Sequence, residues 1–234
     1  MKALIFGANS TIAQAIIKNL SEKSYDLFLV SRSSSENIKG DTKEYLYDPS
    51  DENSIKAIKE KLVDHQFDLI ISTIGILHTQ EIFPEKNLNA IEKNSLNKVL
   101  EINLITNVLI GKYFFSLLNQ NCPSVFAFLS ARVGSISDNQ LGGWYSYRMS
   151  KAALNMFIKN AHIEQSRKNK QSKVIGMHPG TVNTPLSLPF QKNVPAGKLF
   201  TPDFSAKKIL DVISNLSDDA GGKIFAWDGS EILP

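Results

Sequence analysis

Tyr147 and Lys151 stand four residues apart in the run Trp144-Tyr145-Ser146-Tyr147-Arg148-Met149-Ser150-Lys151. At that spacing two side chains share one face of a helix. An ammonium beside a phenol favours the phenolate and lowers the tyrosine pKa, which gives a proton donor or acceptor usable near neutral pH. Tyr145 has Met149 at the same offset and lacks such a partner. A pair of this kind also arises by chance, as an interfacial tyrosine beside a surface lysine, so its surroundings decide its meaning.

A second chemical feature lies at the start of the chain. The apolar run Ala3–Phe6 leads into Gly7-Ala8-Asn9-Ser10-Thr11-Ile12-Ala13. A strand, a tight turn and a helix N-terminus present free backbone N–H groups and the positive end of the helix dipole to an anion. A dinucleotide fingerprint spaced Gly-x-x-x-Gly-x-Gly would place three glycines here. Only Gly7 is present, with Thr11 and Ala13 in the other two places. The segment reads as a phosphate-binding turn or as an ordinary strand–helix turn. The next apolar run ends in Ser31-Arg32. An acid there would bind the ribose hydroxyls of an adenosine, whereas Arg32 suits a 2′-phosphate, or is simply a solvated arginine.

Elements that could position these residues alternate along the chain. Short apolar runs predict strands at 3–6, 27–30, 45–47, 67–72, 125–129, 174–177 and 224–227. Helical spacing predicts helices at 10–20, 51–63, 95–118, 146–168 and 205–213. Nearly continuous apolar strands imply burial on both faces, as in a parallel sheet. Strands alternating with helices imply right-handed crossovers. The expected fold is a doubly wound, Rossmann-type α/β domain spanning 1–234, with a mostly parallel sheet of about seven strands and helices on both faces. The proline-rich stretch 185–202 is either a lid over substrate or a surface loop. As a lid its short length suits an open cleft and a broad or bulky substrate.

Composition narrows the partners. Among 234 residues, Lys plus Arg number 26 and Asp plus Glu 23, so the net charge of +3 gives no reason to expect a nucleic acid or a membrane. The single cysteine, Cys122, cannot form an internal disulfide, and four histidines show no metal-ligand spacing. The first apolar run is too short for a membrane span. The expectation is a cytoplasmic protein without a metal, whose N-terminus belongs to the sheet.

Taken together, the Gly7–Ala13 turn, Ser130 at a strand end and the Tyr147/Lys151 pair resemble the short-chain dehydrogenase/reductase family over almost the whole chain. Ser72-Thr73-Ile74-Gly75 stands where that family has Asn-Asn-Ala-Gly. His178-Pro179-Gly180-Thr181-Val182-Asn183-Thr184 and Trp227-Asp228-Gly229 are similar to its nicotinamide-side and terminal segments. Pro84-Glu85-Lys86, Ser130–Ile136 and Gly142–Tyr147 resemble its C-factor-like subgroup. The resemblance implies an NAD(P)-dependent oxidoreductase passing hydride between nicotinamide and a carbonyl or alcohol, with NADP(H) preferred on account of Arg32. It implies that Tyr147 moves the proton and that Lys151 tunes it and holds the ribose. Ser130 would bind the substrate oxygen, and Asn103 would anchor a water. Cofactor contacts would come from Gly7, Asn9, Ser10, Thr11 and Ile12, and from Ser31, Arg32 and Asp48 at the adenine end. Thr73, Ile74 and Gly75 would contribute as well, with Pro179, Gly180, Val182 and Thr184 at the nicotinamide, beside Tyr147 and Lys151. The replacements at Thr11, Ser72 and Thr73 bear on cofactor affinity more than on fold. A few extra residues between Ser130 and Tyr147 fall where Gly142-Gly143 can absorb them. The resemblance further implies a homodimer or homotetramer, paired through the helices at 95–118 and 146–168. The competing expectation is a cofactor-binding signalling or regulatory protein with weak or lost catalysis.

Overall fold

The structure, a computed structural model, describes residues 1–34 and 42–234. Seven strands form one sheet: β1 (Lys2–Phe6), β2 (Asp26–Ser31), β3 (Lys43–Leu46), β4 (Leu69–Ser72), β5 (Ser124–Leu129), β6 (Ser172–His178) and β9 (Ile224–Ala226). Their order is β3-β2-β1-β4-β5-β6-β9 and every pairing is parallel. Side chains alternate across the sheet. Leu4 and Phe6 of β1 enter one apolar layer while Ala3 and Ile5 enter the other. The first layer is covered by α2 (Glu52–Lys61), α4 (Thr106–Phe114) and α5 (Tyr145–Lys168), the second by α1 (Thr11–Glu22) and α6 (Pro202–Ser214). The doubly wound architecture read from the sequence is therefore the one observed.

Local chemistry sets the helix starts. Ser10 caps α1 by accepting the Ala13 N–H at 3.2 Å, Asp51 caps α2 through the Asn53 N–H at 2.9 Å, and Thr201 caps α6 through the Phe204 N–H at 3.2 Å. The last helix thus begins three residues before the predicted Ser205, because Pro202 at its first turn is compatible with a helix start.

The helix predicted over 95–118 is not uniform. It comprises α3 (Lys93–Leu100), a π-helical turn over Glu101–Ile105, α4, and a 3-10 turn over Phe115–Leu117. The Thr106 hydroxyl donates to the Glu101 carbonyl at 3.0 Å within the widened turn. Such insertions concentrate at functional positions, and this one contains Asn103.

Stretch 185–202 also carries regular structure. A 3-10 segment covers Leu188–Asn193, and β8 (Leu199–Phe200) pairs with β7 (Thr181–Val182) in a separate parallel ribbon. Of the apolar residues on the two helices expected to pair, Phe114 and Leu154 are fully buried in the layer against the sheet. The apolar residues that α5 leaves exposed are Met149, Met156 and Ile163, seven residues apart and hence on one stripe.

Candidate active site

Strand β5 ends at Leu129, and Ser130 is held there by its N–H donating to the Met177 carbonyl at 2.9 Å. The Ser130 hydroxyl donates to Oδ1 of Asn155 at 2.5 Å. One turn earlier on α5, Lys151 is buried and its Nζ donates to the Leu129 carbonyl at 2.8 Å. Nζ also lies 5.8 Å from the centre of the Tyr147 ring. Tyr147, Lys151 and Ser130 therefore gather at the carboxyl end of β5.

The electrostatics differ from the simple pair read in the sequence. Burial pushes the Tyr147 phenol up to about 12 and the Lys151 ammonium down to about 8. Desolvation penalises both charged forms and is the cause of each shift. The phenol is thus a held proton rather than a phenolate at neutral pH.

Asn103 joins this group from the π-helical turn. It is wholly buried; its Oδ1 accepts the Ile76 N–H at 2.7 Å, and its Nδ2 donates to the Ile76 carbonyl at 2.9 Å and to the Ser150 hydroxyl at 3.0 Å. Ser150 in turn donates to the Tyr147 carbonyl at 2.8 Å. A Cβ added at Gly75 would come 3.2 Å from Lys151 Nζ and 3.4 Å from Asn103 Oδ1, so Gly75 adjoins both.

A cavity of about 300 Å³ opens beyond the carboxyl ends of β1, β2 and β4. Gly7, Asn9, Ser10, Ser31, Arg32, Thr73, Ile74 and Gly75 line it, as does Lys98, which the sequence reading missed. Gly7 turns with φ +76, and a Cβ there would strike Thr73 Oγ1 at 2.6 Å. This is the one glycine of the fingerprint that the backbone requires. Thr11 opens α1 as an ordinary helical residue, so its β-branch is tolerated. Thr73 compensates for the lost asparagine: its hydroxyl reaches the Phe6 and Gly7 carbonyls at 3.0 and 3.1 Å and pairs with Ser10 at 2.9 Å. Ser72 donates to Asn107 at 2.6 Å. The turn is braced, and the cavity beside it carries two cations, Arg32 and Lys98, against one carboxylate, Glu101, a balance that suits an anionic dinucleotide.

Other residues of the reading lie outside this cavity. Thr11 and Ile12 do not line it, nor do Pro179, Gly180, Val182 and Thr184, which run along β7 beside the Ser187 turn. Asp48 directs its carboxylate at Ser50, accepting from the backbone N–H and the hydroxyl at 2.8 and 2.6 Å, and that keeps it below the usual carboxylate range. A second hollow of about 340 Å³, between α6 and β9, contains none of the four residues gathered at β5.

Above Tyr147 three loops meet through aromatic rings. Trp144 is 6.3 Å from Tyr147 and 5.1 Å from Phe190, Phe190 is 5.7 Å from His78, and His78 stacks on Phe83 at 6.4 Å. His78 donates to the Pro185 carbonyl at 3.1 Å. Trp144 adopts φ +52, following Gly142 and Gly143, both at +63, so the extra residues before Tyr147 form a left-handed run. Arg148 holds that run by donating to the Gly142 and Gly143 carbonyls at 3.3 and 3.1 Å. This wall left little trace in the sequence, because its members come from separate segments. Among the described residues no cluster of side chains suited to a metal occurs, and no helix is long and apolar enough to cross a membrane.

Comparison with known proteins bears on the family and the fold. A family model described as short chain dehydrogenase matches residues 1–194. The 1-hydroxy-2-glutathionyl-2-methyl-3-butene dehydrogenase of Rhodococcus sp. (strain AD45) is 27% identical over 232 residues, 97% of this chain and 96% of that protein. C-signal of Myxococcus xanthus is 29% identical over 145 residues, covering 62% of this chain and 82% of that protein. The NADPH-bound carbonyl reductase from chicken fatty liver superposes with a TM-score of 0.83 at 24% identity, covering 100% of this chain and 98% of that one.

Proposed function

The chain belongs to the short chain dehydrogenase family and is an oxidoreductase of it, and on that premise we propose that it is an NADP(H)-preferring carbonyl reductase acting on apolar, aromatic carbonyl compounds. The observation that carries this reading is the convergence of Ser130, Tyr147 and Lys151 at the end of β5, beside a cavity lined by Arg32 and Lys98. The bound nicotinamide would supply the hydride in reduction and take it up in oxidation. Tyr147 holds a proton well above neutral pH and gives it to the carbonyl oxygen as negative charge develops there. Lys151, cationic near neutral pH, steadies the phenolate left behind. Ser130 hydrogen-bonds the same oxygen and so orients the carbonyl. Asn103 ties the Ile76 backbone to Ser150 of α5 and so steadies that side of the cleft.

Arg32 and Lys98 favour a 2′-phosphorylated cofactor, and the chicken relative's bound NADPH supports the same choice. Trp144 and Phe190 favour a planar apolar substrate, since aromatic rings pack by offset or edge-on stacking. The exposed stripe Met149, Met156 and Ile163 on α5 supports a homodimer through this helix.

Tyr147→Phe tests the reading. With NADPH and benzil as probe, turnover should fall by about 10²–10⁴-fold while NADPH binding stays intact. Tyr145→Phe, about 200° round the helix axis, should retain activity. Full activity in Tyr147→Phe overturns the assignment. A wild type that binds NADPH but reduces no carbonyl compound points instead to a binding protein with signalling or regulatory work.

A further inference from the structure

The Ser130 hydroxyl has a single proton, and in this structure it is committed to Asn155 Oδ1 at 2.5 Å. A carbonyl oxygen has no proton to offer and can only accept. Ser130 therefore cannot serve a carbonyl substrate while it donates to Asn155. Turning the Asn155 amide over resolves the conflict. Nδ2 then donates to Ser130 Oγ, and the serine proton is released toward the cleft.

The surroundings allow both orientations. The amide nitrogen faces Gly134, where an added Cβ would come within 3.0 Å of Nδ2 and 2.8 Å of the Lys151 backbone carbon. The missing side chain at Gly134 makes room for the amide. Among the described residues no hydrogen bond holds Nδ2 in place. Asn155 is also one turn beyond Lys151 on α5, so the element that carries Tyr147 and Lys151 carries this group too.

We propose that Asn155 is a positioning residue that sets the polarity of Ser130: its amide donates to the serine oxygen so that the serine proton points at the substrate carbonyl. The inference rests on the reading of Ser130 and Tyr147 above. It assigns work to a residue that neither the spacing of the sequence nor the family resemblance singled out.

The test uses Asn155→Asp, Asn155→Leu and Ser130→Ala, assayed with NADPH and benzil. A carboxylate can only accept, so Asn155→Asp locks the serine proton away from substrate. Turnover should fall about 10²-fold, the scale of losing one donor to the developing oxyanion, with KM for NADPH unchanged. Asn155→Leu has nearly the same volume and no acceptor, so its loss should be several-fold smaller. In the Ser130→Ala background Asn155→Asp should cost nothing further. The Asp variant should also recover relative to wild type as pH falls through the carboxyl titration, because a protonated carboxyl donates again. Melting temperature and NADPH binding by fluorescence check that the variants fold. An Asn155→Leu loss as large as that of Asn155→Asp, an equal loss in the Ser130→Ala background, or an Asp variant whose deficit ignores pH overturns the proposal alone. A wild type that reduces no carbonyl probe, or a fully active Ser130→Ala, overturns the reading of the site and this inference with it.

Discussion

Glu85 closes the N-terminus of α5 from 61 residues upstream: its Oε2 accepts the Ser146 N–H at 3.1 Å, and its Oε1 accepts the Ser146 hydroxyl. Its backbone carbonyl also accepts the Trp144 N–H at 2.5 Å. The helix has no side-chain cap of its own at Trp144, so the buried carboxylate of a distant loop does that work at the positive end of the helix dipole. The clamp ties the loop after β4 to the residue that immediately precedes Tyr147.

Removing this clamp should be felt in stability first. Glu85→Ala strands the Ser146 N–H and hydroxyl, and loss of a cap costs about 0.5–2 kcal/mol. The melting temperature should drop by about 2–4 °C per kcal/mol for a chain of this size. Glu85→Gln keeps an acceptor for the N–H and should lose less. Scanning calorimetry on the two variants would decide; equal melting points for wild type and Glu85→Ala would show that the cap is dispensable.

Arg32 lines the cavity beside Ser31 and Ser33. If its guanidinium meets a 2′-phosphate, Arg32→Ala should weaken NADPH binding about tenfold, about 1.4 kcal/mol, and leave NADH binding nearly unchanged. Raised salt should narrow the difference between wild type and variant. Isothermal titration with both cofactors measures this directly, and parallel losses for the two would remove the phosphate from the explanation.

His178 ends β6 with a buried Nδ1 that has no hydrogen-bond partner among the described residues. Burial, aided by the nearby Arg132 guanidinium, holds its imidazole down to about 4, against partial opposition from Asp228 and Asp138. Its folded pKa is thus depressed, and between about pH 4 and 6.5 the unfolded chain binds the proton more readily than the native one. Stability present above pH 6.5 should be lost as pH falls through that window. His178→Asn should flatten this part of the acid limb in denaturant titrations run from pH 4 to 7. A wild type and variant with the same slope would exclude the histidine as its source.

Met156 is 62% exposed at the centre of the Met149–Ile163 stripe. A charge there would have to be desolvated if α5 pairs with its copy. Met156→Glu should give a monomer by light scattering at micromolar concentration where the wild type gives a dimer. A wild-type monomer, or a Met156→Glu dimer, would move the interface elsewhere.

Much of this molecule follows from local sequence. Most sheet strands are short apolar runs whose residues fill both layers, so their existence and order in the chain are legible from residues such as Ala3–Phe6 and Leu27–Val30, whereas the edge strand β3 is largely exposed and carries a weaker signal. Ser10 and Asp51 mark their helices because a cap acts on an N–H two or three residues away. Tyr147 and Lys151 are recognisable as a pair because one helical turn fixes their separation. Tertiary structure decides what depends on neighbours remote in the chain. The sheet order places β5 beside β6 and lays α5 across the first layer, and only then does Ser130 meet Asn155 or Glu85 meet Ser146. The π-helical turn carries Asn103, whose side chain meets the Ile76 backbone 27 residues upstream, a contact that no local spacing announces. Burial decides the charge states as well: the four-residue spacing of Tyr147 and Lys151 predicts a phenol with a lowered pKa, but desolvation raises the phenol to about 12 and lowers the ammonium to about 8, so near neutral pH the tyrosine keeps its proton while the lysine stays cationic.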